Sequence, residues 1–185
     1  MKKKIIVTLL ASAVILAGCS STKEVATSKE TFDFKVTEFA DTFDNVYGID
    51  LNSMSVIDAE EKGTKIASYT CDTGTDSAKL VHYMVHYDEA TDDVSYISFF
   101  FDKNIGDAET VLTLYYTHIG AIAEIIEPSV NIGEIYSEIG ALLGNDEESS
   151  DWETYETDEF FMSASCDDTY YSAYFIPIET LLKGE

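Results

Sequence analysis

The chain has 185 residues, with 35 acidic side chains, 11 lysines and no arginine, which gives a formal net charge of −24 at neutral pH. Its length suits one domain with a hydrophobic core. A chain with so few basic groups and no guanidinium forks is poorly suited to neutralise phosphates, so the composition argues against a nucleic-acid partner.

The first 18 residues have the pattern of a removable secretory signal. Lys2–Lys4 form a positively charged start, and the apolar run Ile5–Leu16 is too short to span a membrane. The run closes on Leu16-Ala17-Gly18-Cys19, which resembles the lipobox of bacterial lipoproteins. This resemblance implies that residues 1–18 are removed as a lipoprotein signal peptide and that Cys19 Sγ carries a diacylglycerol group. An ordinary secretion signal followed by a chance cysteine is the alternative.

The predicted anchor sets the expected location and the domain organisation. A lipid on Cys19 would hold the protein on the extracytoplasmic face of the cell membrane, because two acyl chains anchor stably where one does not. Residues 19–30 are rich in Ser, Thr, Lys and Glu, and they predict a disordered tether. Residues 31–185 then form a single globular domain.

The mature chain is more acidic than the whole. It keeps eight lysines against 35 acidic residues, a formal charge of −27, and would be repelled by an anionic membrane surface. Such a charge favours cationic partners, such as Ca²⁺, a basic peptide or the basic face of a protein. The alternative is that the charge serves solubility at the cell surface.

The first half of the domain predicts one helix followed by strands. The helix begins at Thr37 and ends before Gly48. Its expected buried face consists of Phe39, Phe43, Val46 and Tyr47. A short strand or turn is expected at Ser53–Ile57. Three strands follow, separated by turn residues: Thr64–Cys71, Lys79–Tyr87 and Val94–Phe101.

The second half predicts two helices and three more strands. Asp107 caps a long helix that Pro128 ends. Asn131 and Glu134 form a capping box for the next helix, and Gly144 ends it. The remaining strands are Trp152–Thr157, Glu159–Cys166 and Tyr170–Ile178.

These elements predict an α+β fold. An antiparallel β-sheet, made of two three-stranded meanders, is expected to be covered on one face by about three α-helices. Segments 67–72 and 162–167 each end a strand with cysteine and aspartate, which favours a helix–meander pseudo-repeat. Chance similarity in a chain rich in Ser and Asp is the alternative.

The second half also carries a family resemblance. Residues 131–178 contain Leu142-Leu143-Gly144, then an acidic loop, then Trp152 and Tyr155 on a strand. This order resembles the helix–helix–meander unit of the BamE-like and beta-lactamase-inhibitor-like envelope proteins. The resemblance implies a role in binding proteins rather than in catalysis. The Gly-Met-Thr start typical of the BamE-like group is missing from the sequence, so no site residues carry over.

Two cysteines remain besides Cys19. An extracytoplasmic location permits a Cys71–Cys166 disulfide, which would stabilise the domain by about 4–5 kcal/mol through closure of a long loop. The alternative is that both are small buried thiols. Neither cysteine lies in a basic neighbourhood that favours a reactive thiolate.

The histidines are weighed as metal ligands. His82 and His86 share one face of their strand, but positions i and i+4 of a strand lie about 13 Å apart, too far to share one zinc ion. We therefore expect two exposed histidines and no metal site. His118 lies within the apolar helix and is expected to be partly buried and hydrogen-bonded.

Other site motifs give little signal. The acidic loops at 72–76, 88–93 and 145–151 offer oxygen ligands, but none has the ligand spacing of an EF-hand. The sequence contains no nucleophile elbow, no His-Glu-x-x-His helix and no glycine-rich phosphate loop. No catalytic residue, cofactor or metal site is therefore predicted.

Aromatic residues are the remaining functional signal. They cluster on strands at Phe99, Phe100, Phe101, Tyr170, Tyr171, Tyr174 and Phe175. Alternation should bury half of them and leave the other half as an aromatic surface with an acidic rim, suited to a protein or sugar partner. We therefore expect a non-catalytic binding module for a protein, peptide or glycan partner. The alternatives are an envelope hydrolase that uses carboxylates and a calcium-responsive module.

Overall fold

The computed structural model describes residues 31–47, 51–72, 80–143 and 152–178. Several predicted features lie outside these ranges. They are the signal peptide, Cys19 and the tether, the helix-ending Gly48 and Gly144, Lys79, all of loop 145–151 and most of loop 72–76.

The described residues form three α-helices and seven β-strands. In chain order they are α1 (Val36–Tyr47), β1 (Leu51–Asp58), β2 (Thr64–Asp72), β3 (Leu80–Asp88), β4 (Val94–Asp102), α2 (Ala108–Ile126), α3 (Ile132–Leu143), β5 (Trp152–Glu156), β6 (Phe160–Cys166) and β7 (Tyr170–Pro177). A short 3-10 helix at Lys103–Ile105, which was not predicted, joins β4 to α2. The segment expected to hold a short strand or turn is the full strand β1.

The seven described strands form one antiparallel sheet in the order β1-β2-β3-β4-β7-β6-β5. Strands that follow one another in the chain are neighbours in the sheet, with the exception of β4 and β5. Strand β4 pairs instead with β7. There Ile97 lies opposite Phe175, and Phe99 lies opposite Ala173. The predicted α+β class with an antiparallel sheet is confirmed.

The longest helix, α2, begins and ends where its capping residues predict. Asp107 Oδ1 accepts a hydrogen bond from Thr110 N at 3.0 Å, which satisfies one of the orphan amides of the first turn. The pKa of Asp107 is held below its usual range, first by its hydrogen bond from the Thr110 amide and then by that from the Thr110 hydroxyl. Pro128 follows the last turn, where a helix cannot continue without losing a hydrogen bond.

The other helices follow their predicted patterns with one exception. Asn131 Oδ1 accepts from Glu134 N at 3.4 Å at the start of α3, which is half of the predicted capping box. In α1, Phe39 and Phe43 are fully buried as expected, but the expectation for Val46 is wrong because 64% of this residue is exposed. The buried stripe continues from Phe43 to Tyr47, which packs against the core.

Ring contacts between the helices and the sheet fall on one face of the sheet. Phe39 of α1 lies 6.3 Å from Tyr83 of β3, measured between ring centroids. Tyr115 of α2 lies 5.9 Å from Phe99 and 5.0 Å from Tyr171, and its hydroxyl donates to the Ser172 carbonyl at 2.8 Å. We call this side of the sheet the covered face and the opposite side the open face.

Candidate functional site: the open face of the sheet

Strict alternation along the strands divides the aromatic side chains between the two faces. Phe99, Phe101 and Phe175 are fully buried on the covered face. Phe100 and Tyr174 point the other way and are half-buried, while Tyr170 is exposed. The prediction that half of these aromatic residues are core and half are surface is confirmed, and the division follows from the two-residue period of a strand.

The open face is built from five neighbouring strands, β2, β3, β4, β7 and β6. Its central positions alternate with the buried ones and are aligned by the ladder of the sheet. They are Ile66, Ser68, Thr70, His82, Met84, His86, Tyr96, Ser98, Phe100, Ser172, Tyr174, Ile176, Phe161, Ser163 and Ser165. None of these described positions carries a carboxylate or a lysine, in a chain where acidic residues are frequent.

Three rings on the open face contact one another near one end of the strands. His82 stacks on Phe100 with 5.1 Å between ring centroids and an interplanar angle of 11°. Phe100 meets Tyr170 edge-on at 5.9 Å and 88°. Both distances fall in the range of favourable ring pairs, so these three residues support one another's orientation.

A second group of rings lies towards the opposite end of the strands. His86 packs edge-on against Tyr96 at 4.9 Å. Tyr96 stacks on Tyr174 at 5.9 Å, and Tyr174 in turn lies 6.4 Å from Phe161. Together with His82, Phe100 and Tyr170, these residues form what we call the open-face aromatic cluster. Contacts within the second group run from His86 on β3 to Phe161 on β6, and its members come from both halves of the sequence.

The cluster is partly exposed and carries tyrosine hydroxyl groups. Its member Tyr170 is 43% exposed, and Met84 and Ile176 beside the cluster are 37% and 36% exposed. Burial raises the pKa of Tyr96, and the neighbouring Ser98 hydroxyl opposes this rise. Ser98 Oγ is buried and makes no hydrogen bond of ordinary geometry in the described structure. The surface therefore offers flat apolar rings with tyrosine hydroxyls among them.

One end of the open face forms a shallow cavity. It has a volume of about 420 Å³ and is lined by Glu61, Thr64, Met84, His86, Ser95 and Tyr96. Glu61 comes from the turn between β1 and β2, and it places a carboxylate at the edge of the aromatic cluster. A partner side chain with an apolar stem and a polar or cationic end would fit such a lining.

The histidines do not form a metal site. His82 packs on Phe100 and His86 on Tyr96, so each imidazole has its own aromatic neighbour. Among the described residues, no group of three or more His, Cys, Asp or Glu side chains is arranged to hold a metal ion. Both histidines are half-buried, so the expectation that they are exposed is wrong.

His118 belongs to the core. It is 2% exposed, and its Nδ1 is hydrogen-bonded to the Tyr83 hydroxyl of β3. Burial lowers the pKa of His118 to about 4, so its imidazole is neutral at physiological pH. The expected hydrogen bond of His118 is confirmed, and its burial is complete rather than partial.

The described structure does not contain the possible Cys71–Cys166 disulfide, because the two residues lie far apart. Cys71 is opposite Val81 on β3, and Cys166 is opposite Tyr171 on β7. Their strands, β2 and β6, are four positions apart in the sheet, about 19 Å at the usual strand spacing. A disulfide requires Cα atoms within about 7 Å. Both residues remain thiols, Cys71 buried and Cys166 half-buried.

The acidic loop 88–93 uses its carboxylates to shape a turn. Asp88 Oδ1 accepts from the amides of Ala90 and Thr91 at 2.9 and 3.1 Å. Asp93 forms an ion pair with Lys35 from the segment before α1. These contacts use Asp88 Oδ1 and Asp93 Oδ1 within the protein itself.

A second cavity, which the sequence did not indicate, lies where the α2–α3 connection meets the β5–β6 turn. It has a volume of about 490 Å³, and its lining includes Glu127, Glu134, Glu156, Asp158 and Tyr155. The pKa of Tyr155 is raised, first by burial and then by the charges of Glu134 and Glu127. The acids come from two segments distant in the chain, so no local spacing could have predicted that they meet.

Sequence reasoning also missed three members of the open face: Tyr96, Phe161 and Ile176. The usable signal was the same two-residue alternation that was applied to β3.

None of the described helices combines the length and the apolar character needed to cross a bilayer. Comparisons of the chain with protein-family models, with curated proteins and with solved structures give no match.

Proposed function

We propose that this protein is a non-catalytic binding module that recognises a protein, peptide or glycan partner through the open face of its sheet. The observation that carries the proposal is the open-face aromatic cluster. Its ring contacts in the described structure are with other open-face residues, whereas ring contacts from the helices go to the covered face. A half-exposed aromatic surface of this kind is unusual for a sheet that serves only as core.

The residue types suit recognition. Tyrosine offers a large flat contact area and a hydroxyl at low conformational cost, because only two side-chain torsions must be fixed. Truncation of a central aromatic residue in an interface commonly costs about 2 kcal/mol or more of binding free energy. Phe100 is the natural anchor, since it contacts both His82 and Tyr170.

We propose that the module is held on the extracytoplasmic face of the cell membrane by a lipid on Cys19, with residues 19–30 as its tether. The lipobox-like sequence Leu16-Ala17-Gly18-Cys19 supports this anchor. The described chain begins beside β4, where Phe32 N donates to the Val94 carbonyl at 2.7 Å. A tether attached there would leave from one end of the strands rather than from the middle of the open face.

We also propose that the two halves of the domain are a helix–meander pseudo-repeat. The strand order supports it, because β4 and β7 lie side by side, β3 and β6 flank them, and β2 and β5 come next. The cysteine-containing segments do not support the same alignment. Cys71 lies on β2, whereas Cys166 lies on β6, the counterpart of β3.

Site-specific photo-cross-linking in the native cell envelope tests the binding proposal. A cross-linking residue at Met84, on the open face, should give a defined adduct, and Phe100→Ser in the same chain should abolish it. The matched control carries the cross-linker at Thr117, an exposed position on α2, and should give no such adduct. Equal adducts from both faces, or an adduct unaffected by Phe100→Ser, would contradict the proposal.

A further inference from the structure

We propose that the occupant of the open face is a basic, extended polypeptide segment, whose apolar stems lie on the aromatic cluster and whose cationic groups reach acidic side chains at both ends of the strands. This inference rests on the proposed binding function and names the chemistry of its partner. It is carried by the distribution of charge around an uncharged aromatic surface.

The described residues contain 25 acidic side chains and four lysines, and three of these lysines contact residues outside the open-face positions. Lys35 pairs with Asp93, and Lys65 pairs with Asp58 and Glu89. Lys103 lies over the ring of Tyr171 on the covered face, 5.3 Å from its centroid. The fourth, Lys62, is exposed in the β1–β2 turn. Most of the carboxylates therefore have no cation from the described chain.

Carboxylates frame the open face at both ends of its strands. We call five of them the acidic rim: Glu60, Glu61, Glu159, Asp167 and Asp168. All five are exposed. The first three lie in the turns at one end of the strands, and the last two lie in the β6–β7 turn at the other end. Only Thr169 separates the second group from Tyr170 of the aromatic cluster.

Length matching favours an extended segment. The strands of the open face have seven to nine residues, so the two groups of rim acids are separated by about 25–30 Å. An extended peptide of about eight or nine residues spans the same distance. Basic residues near its two ends would reach the rim while its centre lies on Phe100, Tyr96 and Tyr174, whose ring faces attract cations as well as apolar groups.

Charge also separates this occupant from the alternatives. A second copy would bring its own acidic rim against the first, and like charges that face each other disfavour association. A neutral glycan could stack on the rings but would gain nothing from the rim. An anionic lipid surface would be repelled by it.

The test uses the full lipoprotein in detergent micelles and three probes. The first is a ten-residue peptide with lysines at both ends and leucine and tyrosine at its centre. The second has glutamate in place of each lysine, and the third is a neutral oligosaccharide. Calorimetric titration at about 50 mM and about 300 mM salt should show binding of the lysine peptide that weakens with salt, and at least about tenfold weaker binding of the other two.

Variants locate the binding. Phe100→Ser should weaken binding of the lysine peptide by about tenfold or more. The double substitution Asp167→Asn with Asp168→Asn should weaken it several-fold and reduce its salt dependence. Glu109→Gln, at an exposed acid on the first turn of α2, is the matched control and should change affinity less than twofold. Circular dichroism establishes whether each variant folds. If Phe100→Ser does not fold, Tyr170→Ser at the exposed end of the cluster is used in its place.

The outcomes separate this inference from the proposed function. Binding of the lysine peptide that is insensitive to both Phe100→Ser and Tyr170→Ser would overturn the inference, because general surface charge would explain it. Binding of the oligosaccharide or the glutamate peptide that depends on Phe100 would overturn the basic partner and leave the proposed function standing. A dimer that Phe100→Ser dissociates would identify the occupant as a second copy. Absence of binding by every probe, together with no adduct from Met84, would overturn both.

Discussion

At the scale of single residues, His118 is a buried polar group that joins a helix to the sheet. Its imidazole and the Tyr83 hydroxyl satisfy each other inside a core made largely of aromatic rings. Burial raises the pKa of Tyr83 and lowers that of His118, so both groups are uncharged in the folded protein at neutral pH. The pair links α2 to β3 but makes part of the stability depend on pH.

We predict that the domain loses stability as the pH falls from 6.5 to about 4. The folded pKa of His118 is about 4 and the ordinary value is 6.5, so the unfolded chain takes up the proton first. The contribution is fully present above pH 6.5 and is lost on acidification towards pH 4, to an extent of about 3 kcal/mol. Urea unfolding across this pH range measures the free energy of unfolding of the wild type and of His118→Phe. The difference between the two free energies should shrink as the pH falls.

Tyr83→Phe is the control for this prediction. It removes the hydrogen bond but keeps the imidazole, so it should lower stability and yet retain the pH dependence of the wild type. If His118→Phe keeps the same pH dependence as the wild type, the buried imidazole is not its source.

Residue-level prediction from sequence worked where the local period decided the outcome. Alternation correctly divided Phe99, Phe100 and Phe101 between the two faces, because neighbouring strand residues must point in opposite directions. The separation of Cys71 and Cys166 could not be predicted in this way, because three strands lie between theirs in the sheet. No local pattern encodes that separation.

At the scale of secondary structure, the helices were the most predictable part because their ends carry their own chemistry. Asp107, Pro128 and the Asn131–Glu134 pair mark the boundaries of α2 and α3 within one residue. Strand β1 was the least predictable. Its described side chains after the bulge, from Ser55 to Asp58, are all exposed, so it lacks the alternation of buried and exposed positions that identifies a strand.

The cap of α2 gives an element-level prediction. Asp107→Ala should lower the Tm by about 2–4 °C, because it leaves the Thr110 amide without its acceptor. Asp107→Ser should restore most of the loss, since a serine hydroxyl can accept the same hydrogen bond. Thermal unfolding followed by circular dichroism measures both. A Tm unchanged by Asp107→Ala would mean that packing alone fixes the start of the helix.

At the scale of the whole molecule, one layer of helices covers one side of a seven-stranded sheet. Pairing of β4 with β7 brings Tyr96 from the first half of the chain against Tyr174 from the second. The sequence could predict that an aromatic surface exists but not that Tyr96 and Tyr174 stack on each other across β4 and β7. Strand order, which is a property of the whole chain, decides that.

The central claim is that a partner occupies the open face in the cell envelope. Oxidative footprinting of the protein in intact envelopes and after purification tests it most directly, with Met84 and Tyr170 as reporters on the open face and Tyr116 on α2 as the internal reference. We expect oxidation of Met84 and Tyr170 to be at least several-fold slower in the envelope than in the purified protein, while Tyr116 reacts equally in both. Equal oxidation of Met84 and Tyr170 in the two states would contradict the account.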